Sequence, residues 1–377
     1  MTEVAFALCN SYDEALTASA IASVLRPFGG MKAFFRAGER VLIKPNLLGA
    51  WAPEKRVTTD PVIIAAVIGL VQKAGGIPFV ADSPAIGSFK RISEKTGVGK
   101  VCRELGVELL ELSAPRPIKP PGGSRFRRLE IASQVLDAGC VINLPKLKTH
   151  GQMLMTLGVK NLFGTVVGQR KAEWHHMAGV DRDTFASLLL DIYLTVKPSI
   201  TIIDGVWAME GHGPSNGSPK RLNLIGAAMD AVALDVSICR MLGVPLDAFP
   251  IYREARRRRI GMTDISRIRV VSDGPTDMAC KGFVVPRLDS MGILPGGFDW
   301  FTKRFLVSRP VQERSSCREC GMCREICPVS AIENRRGRLL FDYDRCIRCY
   351  CCQEICAHNA IHFKSGLIVK ALNYLKR

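Results

Sequence analysis

The sequence contains no uninterrupted apolar run of eighteen residues. Its longest candidate, PVIIAAVIGLV at 61–71, is too short to span a bilayer. The first residues, MTEVAFALCNSYDEAL, lack the basic start, long apolar core and small-residue cleavage site of a secretory signal. These absences lead to the expectation of a soluble cytoplasmic protein with no transmembrane segment. Two nucleotide signatures are also missing. No GxGxxG follows a strand-like run, which removes the usual phosphate loop for nicotinamide or flavin. No P-loop occurs, and GVGK at 97–100 lacks the required spacing, so ATP-driven chemistry is disfavoured. A net charge of +17 attracts nucleic acid, anionic lipid or an acidic protein. No aromatic-rich nucleic-acid module or finger spacing accompanies it, which disfavours nucleic acid. The densest basic run, RRRR at 256–259, reads as the solvated face of a helix.

Fourteen cysteines are present, and nine of them crowd into residues 317–356. The others, Cys9, Cys102, Cys140, Cys239 and Cys280, are scattered through apolar or helical contexts, where a thiol behaves as a small core residue. A disulfide framework spreads its cysteines along a short secreted chain. The crowding points instead to metal in a reducing compartment.

Apolar runs at 4–9, 40–46, 77–82, 107–112, 140–145, 199–204, 222–228 and 268–271 read as strands. Helical patterns lie between most of them, at 13–25, from Asp60–Pro61 to 73–74, at 183–196 and at 230–242. Such alternation implies an α/β fold: a mostly parallel, helix-flanked, Rossmann-like sheet. Lys44, Asn46, Asp82, Lys146, Lys148 and Asp204 fall at the ends of strands, where open α/β sheets bind ligands. The expected organisation is an α/β domain over 1–285, a linker over 286–312, a cysteine module over 313–364 and a basic amphipathic tail over 365–377. The tail suits either a membrane surface or the capping of the small module's core.

CRECGMCREICP (317–328) and CIRCYCCQEIC (346–356) each place cysteines at offsets 0, 3, 6 and 10. This resembles the ligand run of bacterial two-cluster ferredoxins, small α+β domains in which the fourth cysteine of each run ligates the other cluster. The resemblance implies two [4Fe–4S] clusters, one on Cys317, Cys320, Cys323 and Cys356, the other on Cys346, Cys349, Cys352 and Cys327. Tetrahedral zinc is the competing reading, but zinc knuckles seldom show a third cysteine at this offset. Two departures stand out: Pro328 follows the first run whereas Ala357 follows the second, implying a looser turn, and Cys351 is a ninth cysteine, either a spectator or a replacement for Cys352. Arg318, Arg324, Arg345 and Arg348 lie within the loops; cations there favour the reduced form and imply less negative potentials than in acidic free ferredoxins.

KPNLLGAWAPEKRVTTDP (44–61), PKLKTHGQMLMTLGVKNLFGTVVG (145–168), DGVWAMEGHGP (204–214) and MDAVALDVSICRMLG (229–243) together resemble the domain-of-unknown-function 362 family. The resemblance covers roughly 1–285 and implies an architecture but no reaction. The residues themselves gather cations and amides: Lys44, Asn46, Lys146, Lys160 and Asn161 suit a phosphate or carboxylate. His150 is a candidate for proton transfer, Lys148 is a catalytic candidate that would also hold anionic groups, and Glu210, beside His212, is a candidate for acid–base work or metal binding. Against this stands the plainer reading of a lysine after a strand as a solvated loop residue. His175 and His176 read either as a surface helix or as proton-transfer groups; Asp230 reads as an N-cap and Asp235 as structural or functional. Three functions follow: a redox protein moving electrons between its clusters and an anionic ligand, aided by a redox partner protein; a non-catalytic carrier or scaffold docking a partner oxidoreductase; or an isomerase or transferase with structural or regulatory clusters.

Overall fold

The computed structural model describes residues 1–85, 87–179, 181–272, 282–286 and 308–364. The expected tail, most of the linker and Cys280 lie outside these residues. Each apolar run becomes a strand: β1 (Thr2–Leu8), β2 (Arg40–Pro45), β3 (Ile77–Asp82) and β4 (Glu108–Glu111). A separate antiparallel pair, β5 (Pro115–Ile118) and β6 (Leu129–Ala132), follows. Then come β7 (Cys140–Leu144), β8 (Lys146–His150), β9 (Leu154–Thr156), β10 (Ile200–Glu210), β11 (Ser218–Ala228) and β12 (Ile268–Ser272). The main sheet runs β12-β1-β11-β10-β7-β2-β3-β4, with β8 against β10 and β9 against β8. Only β11 and β9 run antiparallel to their neighbours; the other pairs are parallel.

Strands buried on both faces alternate between two cores. Val41, Ile43 and Val80 face one layer, against α1 (Glu14–Leu25) and α2 (Pro61–Lys73). Leu42, Phe79 and Ala81 face the other, against α3 (Arg182–Val196), α4 (Ala231–Met241) and α5 (Pro250–Arg258). Helix starts are set by side chains that accept otherwise orphaned N–H groups: Asp13 from Leu16, Asp60 from Val62, Asp230 from Val232. In the arginine run, Arg256, Arg257 and Arg259 are exposed as expected. Arg258 instead turns inward and pairs with Asp191 at 2.7 Å.

One element departs from the sequence reading. KLKTH was expected in a loop, but it forms β8 and every residue of it is buried. The cause is the length of β10. After pairing with β7 at Ile200 and Thr201, β10 continues and needs a further partner, which β8 supplies at Asp204 and Met209. Period-two geometry puts Lys146, Lys148 and His150 on one face and Leu147 in the core on the other.

The cysteine-rich segment pairs β13 (Arg309–Gln312) with β16 (Ile361–Lys364) and β14 (Ile332–Arg335) with β15 (Arg338–Phe341). The end of the expected linker is therefore a strand of this unit. Two one-turn helices, α6 (Met322–Glu325) and α7 (Cys351–Glu354), occupy equivalent places in the two cysteine runs. The backbone repeats with them: Glu319 and Arg348, Gly321 and Tyr350, and Ser330 and Asn359 all take positive φ. Ala331 N–H donates to Cys327 Sγ and Ala360 N–H to Cys356 Sγ, both at 3.2 Å. The turn after Cys356 thus matches the one after Cys327. It is not looser for lacking proline, because the N–H···S bond and the left-handed residue hold both.

Two glycine substitutions test the packing. Gly226→Ala puts a Cβ 2.6 Å from the Phe6 ring and should destabilise by about 1–3 kcal/mol. Gly69→Ala, in α2 with nothing within 4 Å, should stabilise by roughly 0.5–1 kcal/mol. Urea midpoints at constant slope measure both; equal effects would contradict the arrangement.

Candidate functional site

The carboxyl ends of β2, β3 and β7 form a floor. Lys44 Nζ lies 2.8 Å from Asp82 Oδ1, and both are almost completely buried. Asp82 also accepts from Ser83 N–H at 2.9 Å and Leu47 N–H at 2.7 Å. Gly164 passes so close that a Cβ would stand 2.3 Å from Asp82 Oδ1. Beside the pair runs a chain of amides. Lys148 Nζ can only donate, so it meets Asn46 Oδ1 at 2.8 Å. Asn46 Nδ2 then donates to Asn161 Oδ1, and Asn161 Nδ2 to Asn143 Oδ1. The lysine thereby sets the orientation of every amide that follows.

The roof is α7, from the other end of the chain. Its last carbonyls are capped by the loop after β10: Ser215 Oγ donates to Glu354 O at 2.7 Å and Asn216 Nδ2 to Gln353 O at 3.2 Å. Gly151 lies against Tyr350, where a Cβ would stand 3.0 Å from the ring. Between floor and roof is a cavity of about 810 Å³ including its mouth. Lys44, Asn46, Lys148, Lys160, Asn161 and Lys171 line it from the sheet side, and Ile326, Cys351, Glu354 and Ile355 from the cysteine-rich side.

Its polar groups are incompletely satisfied. His150 Nδ1 accepts from Gln152 and Met153 N–H, both at 3.1 Å, which leaves the proton on Nε2. That nitrogen lies 2.8 Å from Glu354 Oε1 and pairs with it. Thr156 Oγ1 and His175 Nδ1, on two residues of the lining, are buried without a partner. Unpaired buried polar atoms are rare, and two on one lining make this cavity the candidate ligand site.

Burial controls the charges. It pushes His150 down to about 4, with Lys160 adding repulsion, and His175 down to about 3. Burial also opposes ionisation of Glu354, but His150, Lys160 and His175 outweigh it and bring the carboxyl to about 2. Burial lowers Lys160 as well, with Glu354 opposing that shift. Lys148 is held well below the ordinary ammonium value by burial, then by Lys160, and burial lowers Lys171 to about 7.

Behind the roof, one smaller cavity is lined by Cys327, Cys346, Cys349 and Cys352, and another by Cys317, Cys320, Cys323 and Cys356. Among the described residues, no group of three or more His, Cys, Asp or Glu side chains is placed to hold a metal ion. Cys351 and Cys352 are consecutive but face different spaces, Cys351 the large cavity and Cys352 its quartet. Cys349 and Cys352 are buried, whereas Cys320 is exposed.

Of the residues singled out in the sequence, Lys44, Asn46, Lys148, Lys160 and Asn161 meet at the cavity, with His150 against Glu354. Lys146 does not join them. It is fully buried between Asp204 and Tyr12, 2.8 Å from each. Glu210 is also elsewhere: its carboxylate accepts from Val284 N–H and faces Lys220, a structural use. His175 is buried at the cavity and His176 is exposed. Asp235 accepts from Gly158 and Val159 N–H, which makes it the cap of the turn at Gly158–Asn161. Sequence reasoning missed Glu354, Thr156 and Lys171; the only signal for Glu354 was its position between two cysteines of the second run.

A family model described as Domain of unknown function (DUF362) matches residues 41–240. A thylakoid-associated protein of Synechocystis sp. is 40% identical over 252 residues, 67% of this chain and 77% of its own. Among solved structures, the lactate racemase apoprotein from Thermoanaerobacterium thermosaccharolyticum is similar at 10% identity and a TM-score of 0.40, over 61% of this chain and 55% of that one. A protein from Thermotoga maritima gives 8% and 0.36 over 52% and 51%. The chain thus spans little more than half the length of either solved structure. No described helix is long and apolar enough to cross a membrane.

The two depressed histidines fix a pH dependence. Unfolded histidine titrates near 6.5, so below that the unfolded chain binds protons that His150 and His175 refuse. Stability should be full above pH 6.5 and fall as pH drops towards 4, by about 1 kcal/mol per histidine at pH 5.5. Urea unfolding across pH 7 to 5 should show this slope, reduced in His175→Gln; a flat profile would contradict neutral burial.

Proposed function

The chain belongs to the DUF362 family, a domain of unknown function, and from its cavity we propose an iron–sulfur redox protein that exchanges electrons with an anionic, phosphate- or carboxylate-bearing ligand. The observation that carries the reading is the shared wall: one cavity is lined both by the lysines of the sheet's rim and by α7, whose Cys352 belongs to a cysteine quartet.

The cysteines fit two [4Fe–4S] clusters. Each quartet draws three cysteines from one run and the fourth from the other, and each lines one small cavity. Bound there, such clusters would supply one-electron transfer at low potential. The chain would supply the rest. Cys327 and Cys356 receive backbone N–H bonds, which stabilise negative charge on sulfur. Arg348, held by Tyr343 O and Cys346 O, lines the inner quartet's cavity, and Arg318 and Arg324 line the outer one. Arg345 lies in neither lining. The inner quartet, Cys327, Cys346, Cys349 and Cys352, two of them buried, is the one next to the ligand, and the outer quartet with exposed Cys320 faces a redox partner protein. At the ligand, Lys160 and Lys148 hold negative charge, and neutral His150 and His175 give or take protons. Asn46 and Asn161, engaged with each other and with Lys148, orient that lysine rather than the ligand.

Anaerobic reconstitution should yield about eight irons per chain. Protein reduced chemically and then mixed with the small molecule that co-purifies anaerobically should regain its visible absorbance. Cys320→Ser and Cys349→Ser should each abolish the exchange. Zinc in place of iron, or turnover surviving both substitutions, would sink the reading and favour redox-independent chemistry.

A further inference from the structure

Phosphate and carboxylate make different demands on a site. A phosphate dianion is held by clustered backbone N–H groups together with cations. Here several loop amides near the cavity, that of the lining residue Ser83 among them, are already taken by the protein's own side chains. Asp82 takes Leu47 and Ser83 N–H, Ser83 Oγ takes Gly168 N–H, and His150 Nδ1 takes Gln152 and Met153 N–H. Asp235 takes Gly158 and Val159 N–H. The cations are partly balanced too. Lys44 is paired with Asp82, and Lys160 faces Glu354. Lys148 hydrogen-bonds only neutral oxygens, Asn46 Oδ1 and Val57 O. Among the described residues Lys160 makes no hydrogen bond or ion pair of its own. Burial holds both ammonium groups below their ordinary values, Lys148 the further, so beside Glu354 the corner carries little surplus positive charge and suits one negative charge rather than two. The lining also carries apolar side chains, of which Ala85, Ile326 and Ile355 pack together beside Cys351.

We propose that the cavity binds an amphipathic monocarboxylate, its carboxylate at Lys160 and Lys148 with Thr156 Oγ1 completing the contact, and its apolar body against Ile326, Ile355 and Ala85. The inference rests on the ligand site of the preceding section and narrows its chemistry. The apolar body then lies on the side of Cys351, next to the inner quartet.

The test is calorimetric titration of the anaerobic holoprotein with straight-chain carboxylates from acetate to octanoate, and with inorganic phosphate. Affinity should rise about fourfold per added methylene until the cavity is full, and phosphate should give no binding. Lys160→Gln should weaken octanoate by at least tenfold while leaving octanamide, its neutral counterpart, unchanged. Ala85→Phe, which narrows the apolar end, should weaken octanoate more than acetate. Phosphate binding as tight as octanoate, or no dependence on chain length, would overturn the proposal. Carboxylate binding without any electron exchange would leave it standing and remove the redox reading; electron exchange with a phosphate ligand would do the reverse.

Discussion

The seating of α7 on the carboxyl ends of the sheet is the constraint on which the site depends. Ser215 and Asn216 cap the helix's last carbonyls, Tyr350 packs on Gly151, and Glu354 reaches His150 at 2.8 Å. Residues from opposite ends of the chain thereby enclose one space. Without this contact the lysine-bearing floor and the cysteine-rich segment would no longer line one cavity. The motif at 204–214, with its obvious acid Glu210, leads into the loop that holds the helix in place.

The floor shows how a sheet tolerates buried lysines. A buried ammonium is costly unless paired and hydrogen-bonded. Lys44 and Lys146 meet Asp82 and Asp204, and those carboxylates are further held by backbone N–H groups or Tyr12. Lys148 has no carboxylate within hydrogen-bonding reach, only an amide and a carbonyl oxygen. That difference separates two lysines paired with carboxylates from one that is not, although all three follow strand-like sequence.

The sheet and its helices were legible because apolar runs and caps are local signals: IPFVAD became β3 with the same bounds, and Asp13, Asp60 and Asp230 cap as their positions suggest. Strand β8 was not legible. KLKTH looks like a solvated loop, and what buries it lies far off in sequence: Asp204 for Lys146, Asn46 for Lys148, Glu354 for His150. The same non-locality hid Glu354 itself. Among cysteines it reads as a surface acid, and only docking turns it inward. The internal repeat shows the opposite case, for the resemblance of its cysteine runs to those of two-cluster ferredoxins implied two crossed quartets, and each set of four lines one cavity.

Anomalous diffraction at the iron edge, from crystals of the anaerobically prepared protein, tests the central claim most directly. The account predicts two compact iron centres within the quartets, the nearer one beside α7, with Cys351 unligated and facing a cavity that holds the ligand. A single centre, ligation by Cys351, or an α7 undocked from Ser215 and Asn216 would contradict it.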